Sequence, residues 1–195
     1  YVDNQADQTV NNDVNIVKFG AQMDSKYLSF YDKVLGKMLC GKGTNGLDSV
    51  PVFTQIMNGL DINADGLVDD DVWHVTLDEM NYLDGDQMYF PSRDHIWRTK
   101  NAGALWEPIT NSFAGGGNAP CPISIGISNA VQPKVYSAGW KGFFIRIDDA
   151  YNALPGQEVD LSASIPSSLF ANSKINCLTV NPDDDGIVYA TVFDP

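Results

Sequence analysis

Basic side chains are scarce in this sequence. Lys and Arg together number 12 against 25 Asp and Glu, which gives a formal net charge of −13 at pH 7. A surface of that sign repels nucleic-acid phosphates and anionic lipid headgroups, because both carry negative charge. Nucleic acids and anionic membrane surfaces are therefore disfavoured as partners, and cations are the class of partner that the charge favours.

Long apolar runs and a leader-like start are also missing. No run of about 18 apolar residues occurs, so the sequence predicts no membrane span. The chain begins at Tyr1 with neither a basic segment nor an apolar one, which we interpret as a mature chain whose leader has been removed. We therefore expect an extracellular or cell-surface protein.

The sequence contains three cysteines, Cys40, Cys121 and Cys177, and they are too far apart for a Cys-x-x-Cys metal or redox motif. In an oxidising compartment two of them could pair, in any of three combinations, with one thiol left over. The spacing of the three cysteines leaves all three disulfide pairings open.

Residue patterns that indicate an enzyme are sparse. Only two histidines are present, His74 and His95, and no His-Glu-x-x-His, Gly-x-Ser-x-Gly, phosphate-loop or dinucleotide pattern occurs. The many carboxylates leave a glycosidase-type acid pair open, although acidic side chains are common in any acidic chain. We predict that the protein is not an enzyme.

Short runs of β-branched and aromatic residues dominate the second half of the chain. Polar turns separate six of them: ISIGIS, KVYSAG, GFFIRID, EVDLSAS, INCLTV and IVYATVF. Such runs are typical of strands, so we predict a mainly β fold, an antiparallel sandwich of the Ig-like or jelly-roll-like kind. No internal repeat with a period of about 20 to 50 residues is evident.

One or two helices are expected in the first half. Met23–Leu39 has apolar and aromatic residues at three- and four-residue steps, which predicts an amphipathic helix. A second, short helix is predicted over Val50–Leu60, starting near Pro51 and ending at Gly59.

The segment Asp61–Asp69 carries the sharpest chemical pattern. Oxygen-bearing side chains occupy loop positions 1, 3, 5 and 9, and Gly66 at position 6 permits the sharp turn. The segment resembles the calcium loop of EF-hand proteins, and more closely that of dockerin-type modules. The resemblance implies a Ca²⁺ ion bound by Asp61, Asn63, Asp65, the carbonyl of Leu67, Asp69 and Asp71.

The loop departs from this pattern at its twelfth position, which is Val72 instead of an acidic residue. Either a shifted loop brings Asp71 to the ion, or a water or a distant carboxylate completes the shell. Because an acidic twelfth residue couples calcium to helix movement in sensors, we expect a structural ion rather than a sensor.

Residues 1–20 are predicted to form an N-terminal arm or strand, and residues 21–195 a single β-rich domain. A helical insertion that contains the calcium loop is expected at about residues 23–83. If the arm is an extended strand, Val10, Val14 and Ile16 lie on one face, and Val17 and Phe19 lie on the opposite face. The arm loosely resembles the donor strands of pilus-type subunits, which complete the sheet of the next subunit and imply a head-to-tail homopolymer.

These features together predict a structural subunit of an extracellular filament or surface assembly, polymerising through its N-terminal strand and stabilised by calcium. The alternative is a secreted carbohydrate- or protein-binding module with a structural calcium. Exposed Trp97, Trp106 or Trp140 would favour glycan binding, whereas buried indoles would count against it. A viral coat component is a third hypothesis.

Overall fold

A computed structural model describes residues 14–21, 26–32, 37–43, 52–55, 58–60, 79–81, 83–113, 121–166 and 174–193. These residues form three four-stranded sheets and one two-stranded hairpin, and every strand pair is antiparallel. In the described ranges, no helix is long and apolar enough to cross a bilayer.

Sheet I and sheet II follow each other in the chain. Sheet I consists of β1 (Val14–Ala21), β2 (Lys26–Asp32), β3 (Lys37–Gly43) and β4 (Val52–Gln55). Sheet II consists of β5 (Glu79–Asn81), β6 (Asp84–Pro91), β7 (Ile96–Thr99) and β8 (Glu107–Pro108). In both sheets the strand order is the chain order, so each sheet is a meander.

Sheet III and the C-terminal hairpin complete the described structure. Sheet III consists of β9 (Pro122–Ile127), β10 (Val135–Gly139), β11 (Phe144–Ile147) and β12 (Val159–Asp160), and a short 3₁₀ helix follows at Ser162–Ser164. The C-terminal hairpin consists of β13 (Lys174–Val180) and β14 (Val188–Phe193). Sheet III is also a meander.

The first strands of the four units lie side by side. β1 contacts β5, β5 contacts β9, and β9 contacts β13. Four-stranded meanders arranged in this way correspond to the blades of a β-propeller. The Greek-key order of Ig-like and jelly-roll sandwiches is not found in the described sheets, where sequential strands are always neighbours.

The core lies between stacked sheets, and sheet III is covered on both faces. Against sheet II, Val135, Ile145 and Ile147 pack with Tyr89 and Ile96. On the other face, a second cluster joins sheet III to the hairpin: Tyr136, Ala138, Ile175, Leu178 and Val180. Because neighbouring residues of β10 point to opposite faces, one strand contributes to both clusters.

The predicted mainly antiparallel β fold is confirmed. The predicted strands over ISIGIS, KVYSAG, GFFIRID, INCLTV and IVYATVF correspond to β9, β10, β11, β13 and β14. In EVDLSAS only Val159–Asp160 is a strand, and the 3₁₀ helix Ser162–Ser164 follows it. NPDDDG connects β13 to β14, as a hairpin turn should.

The prediction of a helix over Met23–Leu39 is wrong, because the described part of this segment lies in β2 and β3. These strands pair with each other, and β2 also pairs with β1. The spacing of Tyr27, Phe30 and Tyr31 fits a helix, but aromatic residues also have high strand propensity. Pairing with β1, which is distant in the hydrogen-bonding sense from any local helix contact, favours the strand.

The second predicted helix, over Val50–Leu60, is also wrong. Val52–Gln55 forms β4, which pairs with β3. Residues 58–60 form a turn in which Gly59 has φ of 92°, outside the helical region. The sheet that β1–β3 begin supplies a pairing partner for this short segment, which an isolated helix turn would lack.

Candidate functional site

The EF-hand resemblance implies a calcium site in the segment between β4 and β5. Asp61, Asn63, Asp65, Leu67, Asp69 and Asp71 all lie outside the described residues. Within the part of the chain that the structure describes, no three His, Cys, Asp or Glu side chains are grouped closely enough to hold a metal ion. Calcium binding at the loop therefore stays a prediction.

The predicted junction arm lies partly in sheet I. Val10 is outside the described residues, whereas Val14, Ile16, Val17 and Phe19 belong to β1. β1 pairs with β2 of the same chain, and the register shifts between Ile16 and Lys18. Donation of the arm to a neighbouring subunit stays a prediction.

The tryptophans offer little surface for a sugar. Trp97 and Trp106 are 3% and 2% exposed, and both pack on Phe90. Trp140 is half-buried, and the Lys174 Nζ lies 3.8 Å from the centre of its ring. A stacking platform made of these three indoles is not present.

Cys177 is exposed and carries a free thiol. The two pairings that would involve Cys177 are therefore not formed.

An open strand edge is the most distinctive surface of the described structure. β13 is the only described strand that pairs with β14. All six residues of β14 are partly or fully exposed, and the exposure of Tyr189, Val192 and Phe193 is 61%, 41% and 49%. Exposed large side chains on an open edge form a surface suited to receiving another strand.

The outer edges of the other sheets are shorter. β4 has four residues, whereas β8 and β12 have two each. Glu107 and Pro108 make up β8, and Asp160 is half of β12, so a charge or a proline blocks pairing at both edges. β14 has six residues, VYATVF, and contains neither a charged residue nor a proline. Within its own six residues, β14 therefore carries neither the charge nor the proline that prevents pairing at β8 and β12.

The backbone of β14 offers hydrogen-bonding groups along this edge. Asn181 N donates to Ile187 O across the hairpin. Because backbone direction alternates along an antiparallel ladder, the N–H and C=O groups of Val188, Ala190 and Val192 point away from β13. These three residues supply the backbone donors and acceptors of the open edge.

The hairpin is held firmly against sheet III. Lys134 Nζ and Asp185 Oδ1 are 2.7 Å apart, and the Tyr136 hydroxyl donates to Asp185 O at 2.7 Å. The hydrogen bond to Asp185 raises the pKa of Lys134 above its ordinary value. At the other end of the hairpin, the Ser124 hydroxyl hydrogen-bonds to Ile175 O. The open edge is therefore presented by a fixed support.

The acidic turn of the hairpin uses its own oxygens. Asn181 Oδ1 accepts from Asp183 N, and Asp184 Oδ1 accepts from Gly186 N. With Asp185 bound to Lys134, the turn is the side-chain-capped kind that Asn and Asp favour. These bonds agree with a hairpin turn at residues 181–187.

The interaction edge was not identified from the sequence, although its strand was. VYATVF is recognisable as a strand from its β-branched and aromatic residues, and its lack of charge and proline is the signal that could have marked it. Whether an edge is open depends on which strands lie beside it, and that is a property of the whole fold.

No protein-family model matches the chain, and no curated protein does either. Ten chains in solved structures match this chain, and two of them show the extent of the likeness. A GH74 xyloglucanase from Xanthomonas campestris has a TM-score of 0.55 and 12% sequence identity over 89% of this chain. The extracellular domain of a putative one-component system from B. thetaiotaomicron has a TM-score of 0.53 and 15% identity over 92% of this chain.

Both neighbours are much larger than this chain, which spans 26% of the xyloglucanase chain and 20% of the other. At such identities the likeness establishes the β fold alone. The activity that the name of the first implies and the role of the second are properties of those proteins.

Proposed function

We propose that this chain is a structural module of an extracellular assembly, joined to its neighbours by β-strand addition at β14, and that it is not an enzyme. The observation that carries the proposal is β14 itself, six uncharged residues that pair with β13 alone in the part of the chain that the structure describes. Strand addition gives a row of backbone hydrogen bonds, and alternate side chains supply specificity.

Extracellular location is supported by the low basic content and by the structural likeness to an extracellular domain. A structural calcium at Asp61–Asp71 belongs to the same proposal, because an ion bound only by the folded state stabilises an exposed module.

A glycan-binding role has less support. The xyloglucanase neighbour acts on a polysaccharide, but Trp97 and Trp106 of this chain are buried and Lys174 covers the ring of Trp140. We therefore expect glycans to leave the tryptophan fluorescence unchanged.

The test is sedimentation velocity of the full chain over a range of concentrations. Ala190→Pro removes a backbone donor from the open edge and leaves the β13 ladder intact, because the N–H of Ala190 points away from β13. Ala190→Ser keeps the donor and is the matched control. We expect concentration-dependent association in the wild type and in Ala190→Ser, and its loss in Ala190→Pro. A wild-type chain that is monomeric at every concentration would refute the proposal.

A further inference from the structure

Turns that lie side by side form one end of sheets II and III. Two buried side chains join the turn between β5 and β6 to the turn between β9 and β10. Asn81 Nδ2 donates to Ala130 O at 2.9 Å. Gln87 Nε2 donates to Asp84 Oδ2 at 2.8 Å and to Val131 O at 3.3 Å. Because Asn81 and Gln87 are almost completely buried, these bonds fix the relative position of the two turns.

Two further turns continue the same surface. Ala150 N donates to Pro133 O at 2.8 Å, which places the start of the loop between β11 and β12 beside the turn between β9 and β10. Lys134 Nζ bonds to Asp185 Oδ1, which attaches the turn between β13 and β14 as well. We call this surface the turn face, and it comprises residues 83–86, 128–134, 148–149 and 181–187.

Three turns of the turn face each expose one large apolar side chain. Leu83 is 46% exposed, Val131 66% and Ile187 43%. Turns favour Gly, Pro, Asn, Asp and Ser, so turn geometry does not account for these three side chains. The backbone of Leu83 is fixed by a hydrogen bond from its N–H to Asn81 Oδ1. Binding at a surface with an ordered backbone costs less conformational entropy, which favours these side chains as anchors for a partner.

Carboxylates surround the apolar side chains. The aspartates of the turn face are Asp84, Asp86, Asp148, Asp149, Asp183, Asp184 and Asp185. They outnumber the two basic residues bonded to them, since Lys134 pairs with Asp185 and Arg146 with Asp148.

The opposite end of the same two sheets has a different charge. Its turns at residues 92–95 and 140–143 carry Arg93 and Lys141 against Asp94. Among the described turns of sheets II and III, the negative charge is therefore concentrated on the turn face. A concentration of one sign at one end attracts partners of the opposite sign to that end.

From these observations we infer that the turn face binds a basic polypeptide segment that carries apolar side chains. Leu83 and Val131 contact the apolar side chains of the segment, and the aspartates contact its Lys and Arg. An apolar centre with a charged rim is the usual anatomy of a protein interface, and complementary charge steers the encounter. The inference goes beyond the proposed function, because its two central residues lie in sheets II and III and not in β14.

Fluorescence anisotropy with labelled synthetic peptides tests this binding in the full chain. The probe is a short peptide that repeats Lys-Leu-Gly. One control peptide repeats Glu-Leu-Gly, which reverses the charge, and another repeats Lys-Ser-Gly, which removes the apolar side chains. We expect the Lys-Leu-Gly peptide to bind with a Kd below about 1 mM and more tightly than either control. Added salt should weaken its binding, because salt screens attraction between exposed charges.

Leu83→Ser combined with Val131→Ser removes the apolar contacts. We expect this double variant to raise Kd by about tenfold or more, because a few central apolar residues carry most of the affinity of an interface. Leu154→Ser is the matched control and should bind as the wild type does. Leu154 is 61% exposed but lies outside the turn face, in the loop that reaches Asn111. An unchanged Tm shows that each variant is folded, as expected for exposed sites.

Asp86→Asn combined with Asp183→Asn tests the charge at two exposed positions. Asparagine keeps the size of the side chain and removes its charge. We expect a higher Kd and a smaller dependence on salt than in the wild type. An unchanged Kd and salt dependence would show that the aspartates do not contact the segment.

Ala190→Pro separates this inference from strand addition at β14. It should bind the peptide as the wild type does, and loss of binding in this variant would place the peptide at β14 and overturn the turn face. Equal affinity of the wild type and of Leu83→Ser with Val131→Ser would also overturn it, as would a wild type that does not bind the peptide at about 1 mM. A wild-type chain that is monomeric but binds the peptide at the turn face refutes strand addition and keeps this inference.

Discussion

Arg98 Nη1 donates a hydrogen bond of 2.8 Å to the carbonyl oxygen of Ala150, which lies 52 residues further along the chain. The same nitrogen donates to the carbonyls of Tyr151 and Ala153 at 2.8 and 3.1 Å. Arg98 is only 4% exposed, and its other terminal nitrogen binds Glu107. One buried guanidinium therefore fastens the turn after β11 of sheet III to β7 of sheet II.

Replacing Arg98 should destabilise the fold strongly. Arg98→Met leaves three turn carbonyls without their donor and removes the partner of Glu107. We expect the free energy of unfolding in urea to fall by about 2–4 kcal/mol. Arg98→Lys should recover only part of the loss, since an ammonium group lacks the planar fork of a guanidinium.

Arg146 provides the matched control. It forms an ion pair with Asp148 in which both side chains are substantially exposed, at 32% and 49%. Exposed pairs contribute little, so Arg146→Met should cost no more than about 1 kcal/mol. Equal losses for Arg98→Met and Arg146→Met would contradict the role assigned to the buried arginine.

Tyr89 should make the fold sensitive to alkaline pH. Burial raises the pKa of its phenol, which is fully buried and hydrogen-bonds to Gln87. The unfolded chain releases this proton near the ordinary pKa of about 10, whereas the folded chain retains it. The stability contribution is therefore complete below about pH 10 and is lost as the pH rises above it.

The measurement is the free energy of unfolding between about pH 8 and pH 11 for the wild type, Tyr89→Phe and Tyr189→Phe. We expect a steeper decline for the wild type than for Tyr89→Phe, which has no proton to release at this position. Tyr189 is 61% exposed, so Tyr189→Phe should follow the wild-type slope. Parallel curves for wild type and Tyr89→Phe would refute the linkage.

Short strands in the second half of the chain could be predicted because each is bounded by polar turns and is rich in β-branched residues. β2 and β3 could not, since the spacing of Tyr27, Phe30 and Tyr31 satisfies a helix as well as a strand. Pairing with β1 decides between them, and pairing is non-local.

The repeated architecture was also invisible in the sequence. The meanders begin at Val14, Glu79 and Pro122, so their spacing is irregular and no periodic motif marks them. Similarly, nothing near Arg98 in the sequence predicts that its partners are the carbonyls of residues 150, 151 and 153. The open edge of β14 belongs to the same class of property, because it depends on which strands the fold brings together.

Gly139 should tolerate no side chain. A Cβ at this position would lie 2.0 Å from the carbonyl oxygen of Cys121 and 2.7 Å from the backbone nitrogen of Ile123. Both are backbone atoms of the neighbouring segment, so relief requires β9 to move away from β10. We expect Gly139→Ala to lower the free energy of unfolding by about 1–3 kcal/mol.

The control for this substitution is Gly186→Ala in the hairpin turn. There the nearest atom is the side-chain oxygen of Asp184 at 3.2 Å, at an exposed site, so a small shift relieves the contact. The free energy of unfolding of Gly186→Ala should remain within about 1 kcal/mol of the wild type. A Gly139→Ala variant as stable as Gly186→Ala would show that β9 can move without cost.

The predicted calcium loop can be tested independently of the β14 edge. If Ca²⁺ binds Asp61, Asn63 and Asp65 in the folded state alone, it raises stability by RT ln(1 + [Ca²⁺]/Kd). Adding calcium to metal-free protein should therefore raise Tm in a concentration-dependent way, and Mg²⁺ at equal concentration should raise it less, because it prefers a smaller octahedral shell. Asp61→Ala combined with Asp65→Ala should abolish the calcium response, whereas Asp183→Ala combined with Asp184→Ala, in the hairpin turn, should preserve it. A Tm that is independent of calcium after exhaustive chelation, with no bound ion detected by isothermal titration calorimetry, would mean that Asp61–Asp69 is a turn that binds no metal.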